Sequence, residues 1–182
     1  MKNAFDPKQL NLAAFAKAHA ALQGDERLAH FERLLEESRD PDAATRVRYA
    51  AQGEIRHDAA GAEQVWLRLS AEVTLSLVCQ RCLEHASTAV AFERDFRFVA
   101  TEAQAALEDE VSEEDVLVIS RSFDLLELVE DELLMALPAT PMHSACPRTL
   151  KLQVADPDFV DTPPEKTNPF AVLQEIKTKR QS

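Results

Sequence analysis

The strongest pattern in the chain is a two-residue alternation of apolar and polar side chains from residue 64 to residue 78. The apolar positions are Val65, Leu67, Leu69, Ala71, Val73, Leu75 and Leu77. Because neighbouring side chains of a β-strand point to opposite faces, this run predicts a strand with one buried face. The run exceeds the usual length of about 5–6 residues, so we expect the strand to bend or to serve two sheets.

Two flanking segments have the same period and extend the predicted sheet. The apolar side of residues 45–56 and 88–99 is formed by Val47, Tyr49, Ala51, Gly53, Ile55, Val90, Phe92, Phe96 and Phe98. Short turns between the three runs favour an antiparallel meander. Arg94 interrupts the second alternation and predicts a bulge or a strand end. Residues 116–119 could add a short fourth strand.

Helical spacing of apolar residues occurs before and after these strands. Residues 7–23 and 26–37 predict two N-terminal helices. Residues 101–115 are polar and acidic, which predicts a loop. Residues 122–138 predict a long amphipathic helix, with Asp124 as its N-cap.

These elements together predict an α+β fold. In it, an antiparallel β-meander or partly closed sheet carries N-terminal helices and one amphipathic acidic helix. The predicted organisation is an N-terminal helical segment at residues 1–44, an α+β core domain at residues 45–150, and a Pro-containing linker with a C-terminal docking helix at residues 151–182. That last helix is too short to be stable alone, so we expect it to dock on its own domain or on a partner.

The net charge of −12 is concentrated in one region of the chain. Residues 100–137 contain twelve acidic residues against Arg121 alone. Such a surface repels phosphate backbones and suits a basic partner. Glu127, Glu130 and Asp131 lie on the predicted solvent side of the acidic helix, and we predict that they bind this partner. The alternative is a solvated face that only keeps the protein soluble.

Three cysteines and one histidine form a candidate metal site. Cys79 and Cys82 have the spacing by which one turn offers two thiolates to a metal ion, and His143 and Cys146 follow the acidic helix. If that helix packs near the turn, the four residues could meet around zinc. The alternative is that the cysteines stay reduced and the His-Cys pair is a surface loop. A redox role fits less well, because this CxxC joins antiparallel strands.

No arrangement of residues indicates catalysis. The other histidines are scattered, and three glycines provide no phosphate-binding loop. The alternative that we keep is a hydrolase or nuclease that holds magnesium on carboxylates of the acidic helix. No apolar run approaches the ~18 residues of a membrane span. The start of the chain lacks an apolar signal core. We therefore expect a cytoplasmic protein with neither a membrane partner nor a small-molecule substrate.

Three stretches, in this order, resemble a known bacterial family. They are LVCQRCLEHAS at residues 77–87, FDLLELVEDELLMALPATPMH at residues 123–143, and NPFAVLQEIK at residues 168–177. The set resembles the YceD family, the large ribosomal RNA subunit accumulation proteins. The resemblance implies a cytoplasmic, non-catalytic factor for the synthesis, processing or stability of 23S ribosomal RNA, and it supplies no catalytic residues.

Charge and resemblance together favour an indirect role in ribosome biogenesis. A strongly acidic protein does not hold RNA through its overall field. We therefore expect the acidic helix to bind a basic ribosomal or assembly protein, with 23S rRNA affected indirectly. A zinc-held protein-interaction module with no tie to ribosomes is a further alternative.

Overall fold

The computed structural model describes residues 5–39, 41–112 and 114–148. The elements in chain order are α1 (Leu12–Lys17), β1 (Ala21–Arg27), a 3₁₀ turn (Leu28–His30), α2 (Glu32–Glu37), β2 (Arg46–His57), β3 (Glu63–Val78), β4 (His85–Val99), α3 (Glu102–Asp109), β5 (Asp115–Val118) and α4 (Leu125–Met135). The described residues belong to one compact unit. The predicted linker and docking helix at residues 151–182 lie outside the described residues.

The described strands form one five-stranded sheet in the order β1-β2-β3-β4-β5. All neighbours are antiparallel except β4 and β5, which are parallel. The predicted α+β class and the antiparallel meander are confirmed, whereas the sheet is open and not partly closed. The alternation in β3 is confirmed as well, since Leu67, Leu69 and Leu75 are buried while Arg68 is exposed.

The bulge predicted at Arg94 is wrong. The pairing of β3 with β4 runs without interruption from Val65 opposite Phe98 to Val78 opposite His85. Arg94 stands opposite Leu69 and so points to the core side of the sheet. Its guanidinium pairs there with Asp115 at 3.1 Å and with Glu132 of α4 at 3.3 Å. The charge is satisfied by acidic neighbours, so the strand needs no irregularity.

The helix predicted at residues 7–23 is much shorter than expected. Only Leu12–Lys17 is helical, and the chain leaves the helix at His19, whose φ of 45° is in the left-handed region. Residues 21–27 form β1 instead. A β-carbon at Gly24 would lie 2.2 Å from the ring of Tyr49, so the missing side chain allows that ring to cover the strand. Pairing with β2 therefore overrides the helical propensity of the Ala-rich sequence.

Two other predicted elements differ from those in the structure. The helix predicted at residues 26–37 is reduced to the 3₁₀ turn and α2, because its first residues belong to β1. The loop predicted at residues 101–115 contains α3, which Thr101 caps by accepting from the N–H of Gln104. The acidic helix is confirmed as α4. Asp124 is its N-cap and accepts from the N–H groups of Leu126 and Glu127.

The main core lies between one face of the sheet and the helices. α1 contacts β2 and β3, and α4 contacts β3 and β4. Phe15 and Ala16 of α1 sit directly on Gly53, where a β-carbon would come within 2.6 Å of the phenyl ring. Within the described residues, no helix combines the length and the apolar character that a membrane span requires. The fold places the β3–β4 turn and the segment after α4 side by side.

Candidate functional site

The four predicted metal ligands meet at the turn between β3 and β4. One ligand atom from each of Cys79, Cys82, His143 and Cys146 can be chosen so that all four lie within 4.8 Å of one another. The Sγ atoms of Cys79 and Cys146 are 4.0 Å apart, and the Sγ of Cys82 is 3.4 Å from Nδ1 of His143. Two separate parts of the chain therefore contribute one compact group of donors that could hold a metal ion.

Backbone hydrogen bonds fix the turn that carries the first two cysteines. The N–H of Cys79 donates to the carbonyl of Glu84 at 2.9 Å, and the N–H of Leu83 donates to the carbonyl of Cys79 at 2.8 Å. Leu83 has a φ of 62°, in a region that a bulky side chain rarely adopts. The chain thus turns sharply enough to aim both thiols to the same side.

The segment after α4 is tied to this turn independently of the cysteines. The N–H of Gln80 donates to the carbonyl of Pro141 at 2.8 Å. Nε2 of His143 lies 2.8 Å from the carbonyl oxygen of His85, which can only accept a hydrogen bond. Nε2 therefore carries the proton, and Nδ1 presents its lone pair toward the thiols. Such a second hydrogen bond is what orients the histidine ligands of metal sites.

The surroundings shift the pKa values of two of the thiols in opposite directions. Desolvation of the buried Cys79 favours its neutral form, but the backbone N–H groups of His143, Cys82 and Arg81 outweigh this and lower its pKa to about 5. The pKa of Cys146 is raised by desolvation and then by its hydrogen bonds with Cys82 and Cys79. Cys79 is therefore the thiol that is prepared for the thiolate form.

The three predicted partner-binding acids have different environments. Glu127 is exposed, whereas Glu130 is only 9% exposed. The carboxylate of Glu130 accepts from the side chain of Arg33 at 3.0 and 3.1 Å and from the N–H of Leu34 at 3.1 Å. The prediction that all three face solvent is therefore wrong for Glu130, which joins α4 to α2. Asp131 is half exposed and accepts from Arg33 at 2.6 Å.

A second polar cluster, which the sequence did not predict, surrounds Arg97 on β4. Arg97 is only 7% exposed and donates to Glu108 of α3, to Glu114 at 3.1 Å and to the hydroxyl of Ser112 at 2.8 Å. These contacts fix the acidic segment after β4 against the sheet. The sequence signal was weak, because Glu108 and Glu114 are two of many acids in that segment.

Comparisons with known proteins connect this fold to one family. Residues 67–177 match the family model described as "Large ribosomal RNA subunit accumulation protein YceD". The chain is 37% identical over 113 residues to a protein of that name from Haemophilus influenzae, which is 59% of this chain and 63% of that protein. The match thus spans less than two thirds of that relative's length.

No solved structure matches the chain. The family match covers β3, β4, α3, β5 and α4, and it includes all four residues of the metal-ligand group. The chain belongs to the YceD family of large ribosomal RNA subunit accumulation proteins.

Proposed function

We propose that this chain is a non-catalytic factor of ribosome biogenesis that supports the accumulation of 23S ribosomal RNA and of the large subunit. The observation that carries the proposal is the family match over residues 67–177. The family is named for an accumulating RNA and not for a reaction. We place the function in the cytoplasm, where ribosomes are assembled.

The chain would act on RNA indirectly, through a basic ribosomal or assembly protein. Its net charge of −12 opposes direct contact with phosphates. Glu127 and Asp131 on α4 offer exposed or half-exposed carboxylates to such a partner, whereas Glu130 is occupied by Arg33 and would hold the helix in place. The same engagement of Glu130 and Asp131 weighs against magnesium chemistry on this helix.

The Cys₃His group would hold a structural zinc ion. Zn–S bonds of about 2.3 Å and Zn–N bonds of about 2.0–2.1 Å place two tetrahedral sulfur ligands roughly 3.8 Å apart, and a sulfur and a nitrogen roughly 3.5–3.6 Å apart. The sulfur–sulfur distance of 4.0 Å between Cys79 and Cys146 and the sulfur–nitrogen distance of 3.4 Å between Cys82 and His143 are each close to these values. Four protein ligands would leave no open position for substrate, which favours a structural role over a catalytic one.

Depletion of the protein from its own cells tests the function directly. We expect the ratio of large-subunit to small-subunit ribosomal RNA to fall, and we expect it to recover when the wild-type chain is supplied again. In a parallel assay, the purified chain should leave labelled precursor 23S rRNA intact with added magnesium. An unchanged RNA ratio would refute the proposal, and multiple-turnover cleavage would replace it with the nuclease alternative.

A further inference from the structure

A groove beside the start of α4 joins an apolar floor to an acidic rim. Leu117 of β5, Phe123 and Leu128 line its floor, and Asp124, Glu127 and Asp131 stand along its rim. The groove has a volume of about 320 Å³, and no basic side chain lines it. The groove combines two kinds of contact that a single segment of a partner could satisfy.

The floor of the groove is fixed by the fold. The ring of Phe123 packs edge-on against Phe98, with 5.4 Å between the ring centres. The backbone of Phe123 exchanges two hydrogen bonds with Leu10, at 2.8 and 3.0 Å. Since the floor is held on both sides, a partner would meet a preformed surface and would not have to order it.

The rim carries charge that the described residues only partly neutralise. Asp131 is paired with Arg33, and Asp124 is committed to the backbone of α4 as its N-cap. Glu127 is exposed and has no ion pair within the described part of the chain. A phosphate would be repelled here, whereas a lysine or arginine would be attracted.

We propose that this groove binds a short segment of a protein partner in which large apolar residues are flanked by lysine or arginine. The inference rests on the proposed function and specifies the partner's chemistry. The apolar residues would bury themselves on Leu117, Phe123 and Leu128, and the cations would lie against Glu127 and Asp131. Basic charge alone would bind weakly, because an exposed ion pair contributes little to affinity.

The test measures fluorescence anisotropy of a labelled peptide that alternates lysine with leucine, added to the full-length chain. Two matched probes replace its leucines by serine or its lysines by glutamate. We expect only the peptide that alternates lysine with leucine to bind. Glu127→Lys should weaken its binding about fivefold, the upper end of the effect of one exposed ion pair. Glu110→Lys, the same charge change at an exposed position outside the groove, should leave it unchanged.

Several outcomes would overturn the inference. If the peptide with serine in place of leucine binds equally well, binding in the groove is due to non-specific charge attraction. Tighter binding of an unlabelled peptide of residues 168–180 than of the lysine–leucine probe would make the chain's own segment the occupant. If the wild-type chain is a dimer and Glu127→Lys converts it to a monomer, the occupant of the groove is a second copy of the chain. The proposed function fails separately, if depletion leaves the ribosomal RNA ratio unchanged.

Discussion

The two ends of the β3–β4 hairpin each hold a later part of the chain, but they do so with different chemistry. At the turn, Cys79 and Cys82 face His143 and Cys146 from the segment after α4. At the far end, Arg97 gathers Glu108, Ser112 and Glu114 from the segment after β4. One end uses neutral and thiolate donors arranged around a common point, and the other uses an ion cluster around a buried guanidinium.

This difference determines what each end depends on. With the zinc ion proposed above at the centre of its donors, the thiol end would have a stability that follows the supply of metal. The ionic end contains its own cation and works without any ligand. Its acids are each 30% exposed, so solvent screens them in part. On this proposal, the attachment at the thiol end depends on a ligand and the attachment at the ionic end does not.

The largest expected effect is loss of the metal ligands. In the zinc-loaded protein, Cys82→Ser should abolish stoichiometric zinc and lower the free energy of unfolding. The loss is about 4 kcal/mol when free zinc stands a thousandfold above its dissociation constant. Elemental analysis and thermal unfolding measure the two effects. Ser144→Ala, in the same segment but outside the ligand group, is the matched control. If the wild-type protein purifies without zinc and its thermal unfolding is unchanged by a chelator, the two ends do not differ in their dependence on metal.

A smaller effect is expected at the opposite end of the hairpin. Arg97→Met removes the shared cation and leaves Glu108 and Glu114 facing one another without compensation. We expect a loss of about 2 kcal/mol, below the full cost for a buried pair because both acids are partly exposed. Hydrogen exchange should accelerate in α3 and stay unchanged around Cys79. Arg48→Met breaks an exposed pair with Glu72 and should cost well under 1 kcal/mol. Equal losses in both variants would contradict this account of Arg97.

The smallest expected effect is a pH dependence at the ionic end. The pKa of Glu108 lies below its usual 4.5, first because Gln104 donates to it and then because Arg97 does. A carboxyl whose pKa is depressed by folding stabilises the fold above the ordinary value and loses that contribution as the pH falls. Carboxyl NMR titration should place the midpoint of Glu108 below 4.5 in wild type. A midpoint at or above 4.5 would remove the predicted acid sensitivity of α3.

The sequence predicted best where a single physical requirement dominates. In β3 one face is buried along the strand, so the period of two is preserved in the sequence. Residues 21–27 carry no such pattern. Their strand depends on partners 19 to 31 residues away and on the Tyr49 ring that lies over Gly24. Local propensity includes neither contact, and so it predicts two helix ends here, at residues 23 and 26, in place of a strand.

The site shows the same division between local and distant information. The CxxC spacing is local, and residue type together with the position after the acidic helix predicted the other two ligands. By contrast, Glu127 and Glu130 are chemically alike and differ only because Arg33 and the N–H of Leu34 reach one of them. Helical periodicity placed both on the solvent side, since it contains no information on where α2 would pack. The cluster around Arg97 was not predicted for the same reason, since its partners lie on elements whose packing the sequence pattern does not give.

The uninterrupted pairing of β3 with β4 fixes the spacing between the two ends of the hairpin. Fourteen consecutive residue pairs connect the thiol turn to the guanidinium cluster. A slip of one residue would send every inward side chain outward. It would also displace both attachments together, since neither the CxxC nor Arg97 can move alone. An insertion of one residue in either strand is therefore expected to disturb both attachments at once.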